Sequence, residues 1–323
     1  MNGNIKSRLT VTGANIVFFT VAVLWILFQI VQLFLQSAYG EDFLSDRVYG
    51  VLIVNELIIV LSPVLVYLAA KRLNIREALR FNGLRPVPVL LIAAVSVPAY
   101  GVFAMLDTIA VFILQYIGDI PAQRLPVPKN AGELAVGILI LSVLPAICEE
   151  MLHRGLLLRA YESRGSIKAV VIVSVFFGFF HFDIRNLIGP IFLGLLIGYY
   201  VIRTNSIIAG MLAHFFNNAI AEILQFMGRD VPAPNKMTVS AGELISSVTM
   251  GTICLVIVFL LMWLFRMATE GGYALKPALT SVRNDIRSIT SHWPVVATFL
   301  FYIAVQLMFI FMIVIVRMKG FSY

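Results

Sequence analysis

The sequence predicts an all-α, polytopic transmembrane helical bundle. Three observations carry that reading. The 323 residues are 60% hydrophobic and 13% charged, where soluble domains run near 45–50% and about 25%. Mean hydropathy is +0.94. The apolar residues also gather into runs of about 20, the length a helix needs to cross a bilayer, with the charges in the segments between them. Length therefore does not count soluble domains, and residues 1–323 are expected to form a single integral-membrane domain of eight to nine membrane helices. The net charge of +7 is explained by Lys and Arg on cytoplasmic loops and calls for no nucleic-acid partner. Cys148 and Cys254 both lie inside apolar runs, so neither a disulfide framework nor a zinc module is expected.

The first run, about Ala14–Leu35, lacks a small-residue cleavage signature and reads as a retained helix, not a removed signal peptide. The second, about Tyr49–Ala70, carries Asn55 and Glu56. A basic segment, Lys71–Arg85, precedes the third, about Val87–Ile117, where Pro98 and Gly101 suit a kink and Asp107 is a buried acid. After a Pro-rich loop comes the fourth, Leu134–Tyr161. The fifth, about Ile167–Phe182, is short. The sixth spans about Leu187–Ile202, the seventh Ser206–Met227, the eighth Glu243–Phe265. Arg266–His292 reads as a long polar loop, and Trp293–Val316 as the last helix. With the N-terminus inside, the cytoplasmic segments, including Lys6 and Arg8, hold roughly twice the Lys and Arg of the outer ones. The chain is thus expected in the plasma membrane with a cytoplasmic N-terminus. The short fifth run and the ninth, which puts a basic tail outside, are the weakest crossings.

The chemistry concentrates in three apolar runs. The fourth contains Cys148-Glu149-Glu150-Met151-Leu152-His153-Arg154-Gly155. A charge within the bilayer costs at least ~2.5–3.5 kcal/mol, so such residues face protein and serve a function. Glu150 and Arg154 are four apart and share a helix face, which suits an ion pair. Glu149 points ~100° away and lacks that partner. A carboxylate in such a cavity suits general-base use near neutral pH. Phe177 and His181 share a face of the fifth run. His214 and Asn218 share a face of the seventh, at a spacing that lets both bind one oxygen or one metal, with Asn217 off that face. Each residue alone could be a satisfied core polar group. Together they read as one intramembrane site. Depth offers a check: from their cytoplasmic ends Glu149 lies ~15 Å, His214 ~12 Å and His181 ~21 Å, which leaves His181 too deep.

Glu-Glu-x-x-x-Arg, Phe-x-x-x-His and His-x-x-x-Asn, in that order on successive membrane helices, resemble the motifs of the CAAX-protease and bacteriocin-processing (Abi) family of intramembrane proteases, relatives of the type II prenyl-protein endopeptidase. The resemblance covers about residues 134–227, the expected catalytic helices. It implies hydrolysis of a peptide bond in a membrane-associated or lipidated substrate, within a cavity open to the cytosol. It implies that Glu149 activates the attacking water, His181 helps to hold it, and His214 and Asn218 stabilise the oxyanion, while Glu150 and Arg154 orient the site. Metal use stays open. Glu149, His181 and His214 could bind Zn²⁺ with one open position, or the same residues could run a metal-free hydrolysis. His153 is free in the family pattern. Glu222, four residues beyond Asn218, could line the cavity.

Two other classes compete. One is a non-catalytic immunity or scaffold protein that keeps the polar network for structure. The other is a transporter using Glu56, Asp107, Glu149, Glu150 and Glu222, for which the sequence shows neither repeats nor broken helices. No prenylation motif ends the chain, which closes with Gly-Phe-Ser-Tyr.

Overall fold

The computed structural model describes residues 9–40, 42–122, 126–231 and 236–319. Lys6, Arg8 and the terminal Gly-Phe-Ser-Tyr lie outside the described residues. Seven helices are long and apolar enough to cross a membrane: α1 (Val11–Tyr39), α2 (Val48–Ala70), α3 (Pro86–Leu114), α4 (Ala131–Arg164), α7 (Ile207–Met227), α8 (Ala241–Ala268) and α10 (Trp293–Met318). Two shorter apolar helices, α5 (Ser166–Phe180) and α6 (Ile188–Thr204), complete the set. The protein is an integral membrane protein built as a polytopic helical bundle.

Local chemistry sets the helix starts. Thr10, Asn130 and Ser206 each accept a hydrogen bond from a first-turn amide of α1, α4 and α7, satisfying donors that a helix cannot satisfy itself. Ser240 and Glu243 form a reciprocal capping box on α8. Pro98 lies inside α3, which continues through it. Gly101 serves close approach: a Cβ there would sit 2.6 Å from Cys254 Sγ of α8.

Polar clasps mark two ends of the bundle. At one end Arg80 pairs with Glu162, Lys276 Nζ with the same carboxylate at 3.1 Å, and Asn82 Nδ2 with Asn205 O at 2.6 Å. At the other, Gln115 bonds Val239 O at 2.9 Å and Arg317 bonds Tyr116 O at 3.0 Å. There Ile120–Pro121 (β1) pairs antiparallel with Lys236–Met237 (β2). α10 runs between the ends, from His292, whose ring lies 3.2 Å from Asn15, to Arg317. The α5 helix stops short: Phe182 O beyond it accepts from Gln306 Nε2 in the middle of α10.

The segment Arg266–His292 is not all loop. It contains α9 (Val282–Thr290), started by Ser281, whose side chain accepts from Asn284 N. Asp285 of α9 ties it to the end of α4 and the start of α5, at 2.8 Å from Arg164 and 2.7 Å from Lys168.

Candidate active site

The motif of α4 sits where its hydrogen bonding changes. Leu144–Glu150 is α-helical and Met151–Leu157 is π-helical; Asn55–Leu61 of α2, packed against it, is π-helical too. Such π turns occur mostly as local insertions and are frequent at functional sites.

Glu150 is fully buried, and its Oε1 accepts from two cationic or ring nitrogens. Arg154 Nη1 lies at 2.7 Å and His214 Nδ1 of α7 at 3.0 Å. The Arg154 guanidinium stands 4.3 Å over the Phe177 ring, and its Nη2 reaches Gly194 O of α6 at 3.5 Å. Phe177 in turn meets three imidazoles edge-on: His153 at 4.9 Å, His181 at 5.1 Å and His214 at 5.6 Å between centroids. One buried ring thus joins the motifs of α4, α5 and α7.

The ring nitrogens can be assigned from their partners. His181 Nδ1 lies 2.8 Å from Phe177 O and His153 Nδ1 2.8 Å from Glu149 O. A carbonyl only accepts, so each Nδ1 carries the proton, and in the neutral ring Nε2 presents a lone pair. His153 Nε2 is buried without a partner among Phe18, Phe177 and Phe180.

Glu149 differs from its neighbour. It is 7% exposed and its Oε2 is buried without a hydrogen bond. Glu56 of α2 lies within electrostatic reach of it and also has a buried, unpartnered Oε2. In sequence alone Glu56 reads only as a member of a transport path. Its place beside the motif helix was not readable because α2 and α4 lie some 90 residues apart in a bundle whose packing is set in three dimensions.

The α4 and α7 helices run antiparallel along a polar seam. Glu150 faces His214, Asn218 Nδ2 donates to Leu141 O at 3.1 Å, and Glu222 Oε2 lies where a Cβ on Gly137 would be 2.8 Å away. Gly210 is tight for the same reason, since a Cβ there would be 2.7 Å from Glu150 Oε2. Asn217, expected off the His214–Asn218 face, donates to Asn218 Oδ1 at 3.3 Å. Asp107 is half-buried, not buried, and lines a separate cavity of about 550 Å³ with Tyr100, Lys236 and Glu243.

The helix ends do not lie at one level, so counting residues from them does not give depth. From Arg164, where α4 ends, Glu149 lies about 22 Å, as His181 does from the start of α5, while His214 lies only about 11 Å from the start of α7 and still meets Glu150 at 3.0 Å.

The residues present were tested as metal ligands. Among the described residues no three His, Cys, Asp or Glu side chains converge in ligating geometry. Glu149, His181 and His214 therefore do not form a ligand set here, and no step is derived through a metal.

The fold and site define a polytopic membrane protein with buried and half-buried acid, imidazole and amide groups drawn from α4, the end of α5 and α7. Residues 131–220, which hold all of these motifs, match the family model described as Type II CAAX prenyl endopeptidase Rce1-like. The match covers less than a third of the chain and shows what this segment is similar to. No curated protein and no solved structure matches the chain.

Proposed function

We propose that the protein is an intramembrane endopeptidase that hydrolyses a peptide bond of a membrane-associated or lipidated polypeptide, with Glu149 as the base that activates water. The observation that carries this reading is the division of labour between adjacent carboxylates. One oxygen of Glu150 is engaged by both Arg154 and His214, its other being buried without a partner, whereas the Glu149 carboxylate makes no hydrogen bond or ion pair among the described residues and its Oε2 is buried. A buried acceptor of this kind is usually satisfied by water or serves chemistry.

In this reading His181 Nε2 and Glu149 hold the attacking water as acceptors and take its proton. Attack on the scissile carbonyl forms a tetrahedral oxyanion. Asn218 uses one amide hydrogen on Leu141 O and has a second for the oxyanion. His214 needs its second proton to donate from Nε2, and the Glu150 carboxylate at Nδ1 is placed to hold that imidazolium. Return of the proton to the leaving amine completes hydrolysis. Glu150, Arg154 and Phe177 position the reacting groups. The N-terminus is proposed to be cytoplasmic, with the basic end of the bundle on that side.

A non-catalytic scaffold is the competing reading, since Glu150, Arg154 and His214 already pair with one another. The test is cleavage of a membrane-peptide library by purified protein. Loss in Glu149→Ala at unchanged protein level supports the protease. A cellular phenotype that survives Glu149→Ala supports the scaffold.

A further inference from the structure

Away from the motifs, the basic end of the bundle holds a cavity of about 410 Å³. It lies where α3 begins and where α6 and α8 end. Its charged lining is Arg85 and Arg203, with no carboxylate among the lining residues. Arg85 is exposed, immediately before Pro86 at the start of α3, and among the described residues its guanidinium has no hydrogen-bond or ion-pair partner. Arg203 is held in place by two bonds, Nε to Thr269 Oγ1 at 3.0 Å and Nη2 to Arg266 O at 2.9 Å. Its Nη1 remains available.

A concave site lined by two guanidinium groups and by no carboxylate suits a phosphate oxygen pair. Its depth narrows the choice. The α3 and α8 helices are membrane-spanning, and the cavity opens at their ends, the level of lipid headgroups. Basic pockets between membrane helices at this level bind anionic headgroups.

We propose that the Arg85–Arg203 cavity binds the phosphate of an anionic phospholipid headgroup. The site lies outside the proposed catalytic groups and does not depend on the proteolytic reading. The same phosphate chemistry could come from free phosphate, so the test separates the two sources. Full-length, detergent-purified protein is titrated calorimetrically with short-chain phosphatidylglycerol, short-chain phosphatidylcholine and inorganic phosphate. Phosphatidylglycerol is expected to bind tightest. Arg85→Gln is expected to weaken it roughly 5-fold, and Arg85→Gln with Arg203→Gln about 30-fold, at ~1 kcal/mol per cation. Lys71→Gln, an exposed cation that does not line the cavity, serves as control and is expected to leave binding unchanged. Because Arg203 also ties α6 to α8, Arg203→Lys tests it with the charge retained. Equal, arginine-dependent binding of inorganic phosphate would identify free phosphate as the source and overturn the lipid assignment. Binding that ignores Arg85→Gln, or no binding of either probe, would overturn the site itself.

Discussion

His214 Nδ1 lies 3.0 Å from Glu150 Oε1, the same oxygen that accepts from Arg154 at 2.7 Å. One carboxylate of α4 thus fixes an imidazole of α7 and a guanidinium of its own helix. The adjacent Glu149 takes no part in this and keeps an oxygen without a partner.

Glu150 and Glu149 should therefore respond differently to removal. Glu150→Ala strands Arg154 as an uncompensated buried charge, at a cost of about 3–5 kcal/mol. Glu149→Ala removes a carboxylate that makes no hydrogen bond or ion pair among the described residues, and should spare stability while abolishing cleavage. Thermal unfolding in detergent, run beside a cleavage assay, checks both.

Phe177→Leu should lower kcat more than it raises KM. The ring carries the Arg154 guanidinium on its face and three imidazoles on its edges; an aliphatic side chain fills the space but orients none of them. Steady-state kinetics separates this from a loss of fold, which would lower the amount of active protein without changing KM.

Gly210→Ala should damage activity out of proportion to its size. The added methyl would sit 2.7 Å from Glu150 Oε2 and 3.0 Å from Val201 Cγ2. Glu150 is anchored by two hydrogen bonds, so it yields only by releasing His214 or Arg154. Gly242→Ala, with no atom within 4 Å, is the silent control in the same assay.

Asp285 supplies a pH dependence outside the membrane. Burial pushes its carboxyl up, but hydrogen bonds from Lys168, Thr280 and Arg164 outweigh that and hold it at about 2, below the ordinary ~3.9. A depressed carboxyl stabilises the folded state above its unfolded value. That stability is lost as pH falls from about 4 to about 2. Hydrogen exchange of residues 276–290 should rise through this window, and Asp285→Asn should show fast exchange already at neutral pH. An unchanged exchange rate in the variant would remove the clasp from the account.

Chelation should leave cleavage intact, because Glu149, His181 and His214 do not converge as a ligand set. Activity stripped by a chelator and restored by Zn²⁺ would show that the site rearranges to bind a metal.

Hydropathy made the apolar helices legible because a bilayer crossing needs about 20 apolar residues whatever the tertiary packing. The Glu150–Arg154 pair was legible for a similar reason, since both residues lie on one helix face. What periodicity could not give is set by distant partners. The α9 helix is polar and short, and its Asp285 is bound by Arg164 and Lys168, more than 110 residues away. The π turns of α2 and α4 have no composition of their own. His214 and Asn218 do share a face, but that face is divided between Glu150 and the Leu141 carbonyl, which the spacing alone does not reveal. The short α5 was read correctly as short, whereas the end of α4 was placed a turn too early, at Tyr161.

The central claim is that Glu149 and His181 hold the water that attacks the peptide bond. The most direct measurement is cleavage of a membrane-peptide library by detergent-purified wild type, Glu149→Ala and His181→Ala, with products read by mass spectrometry. The account predicts cleavage by wild type and loss in both variants, with all three proteins folded. Cleavage that persists in folded Glu149→Ala would contradict it.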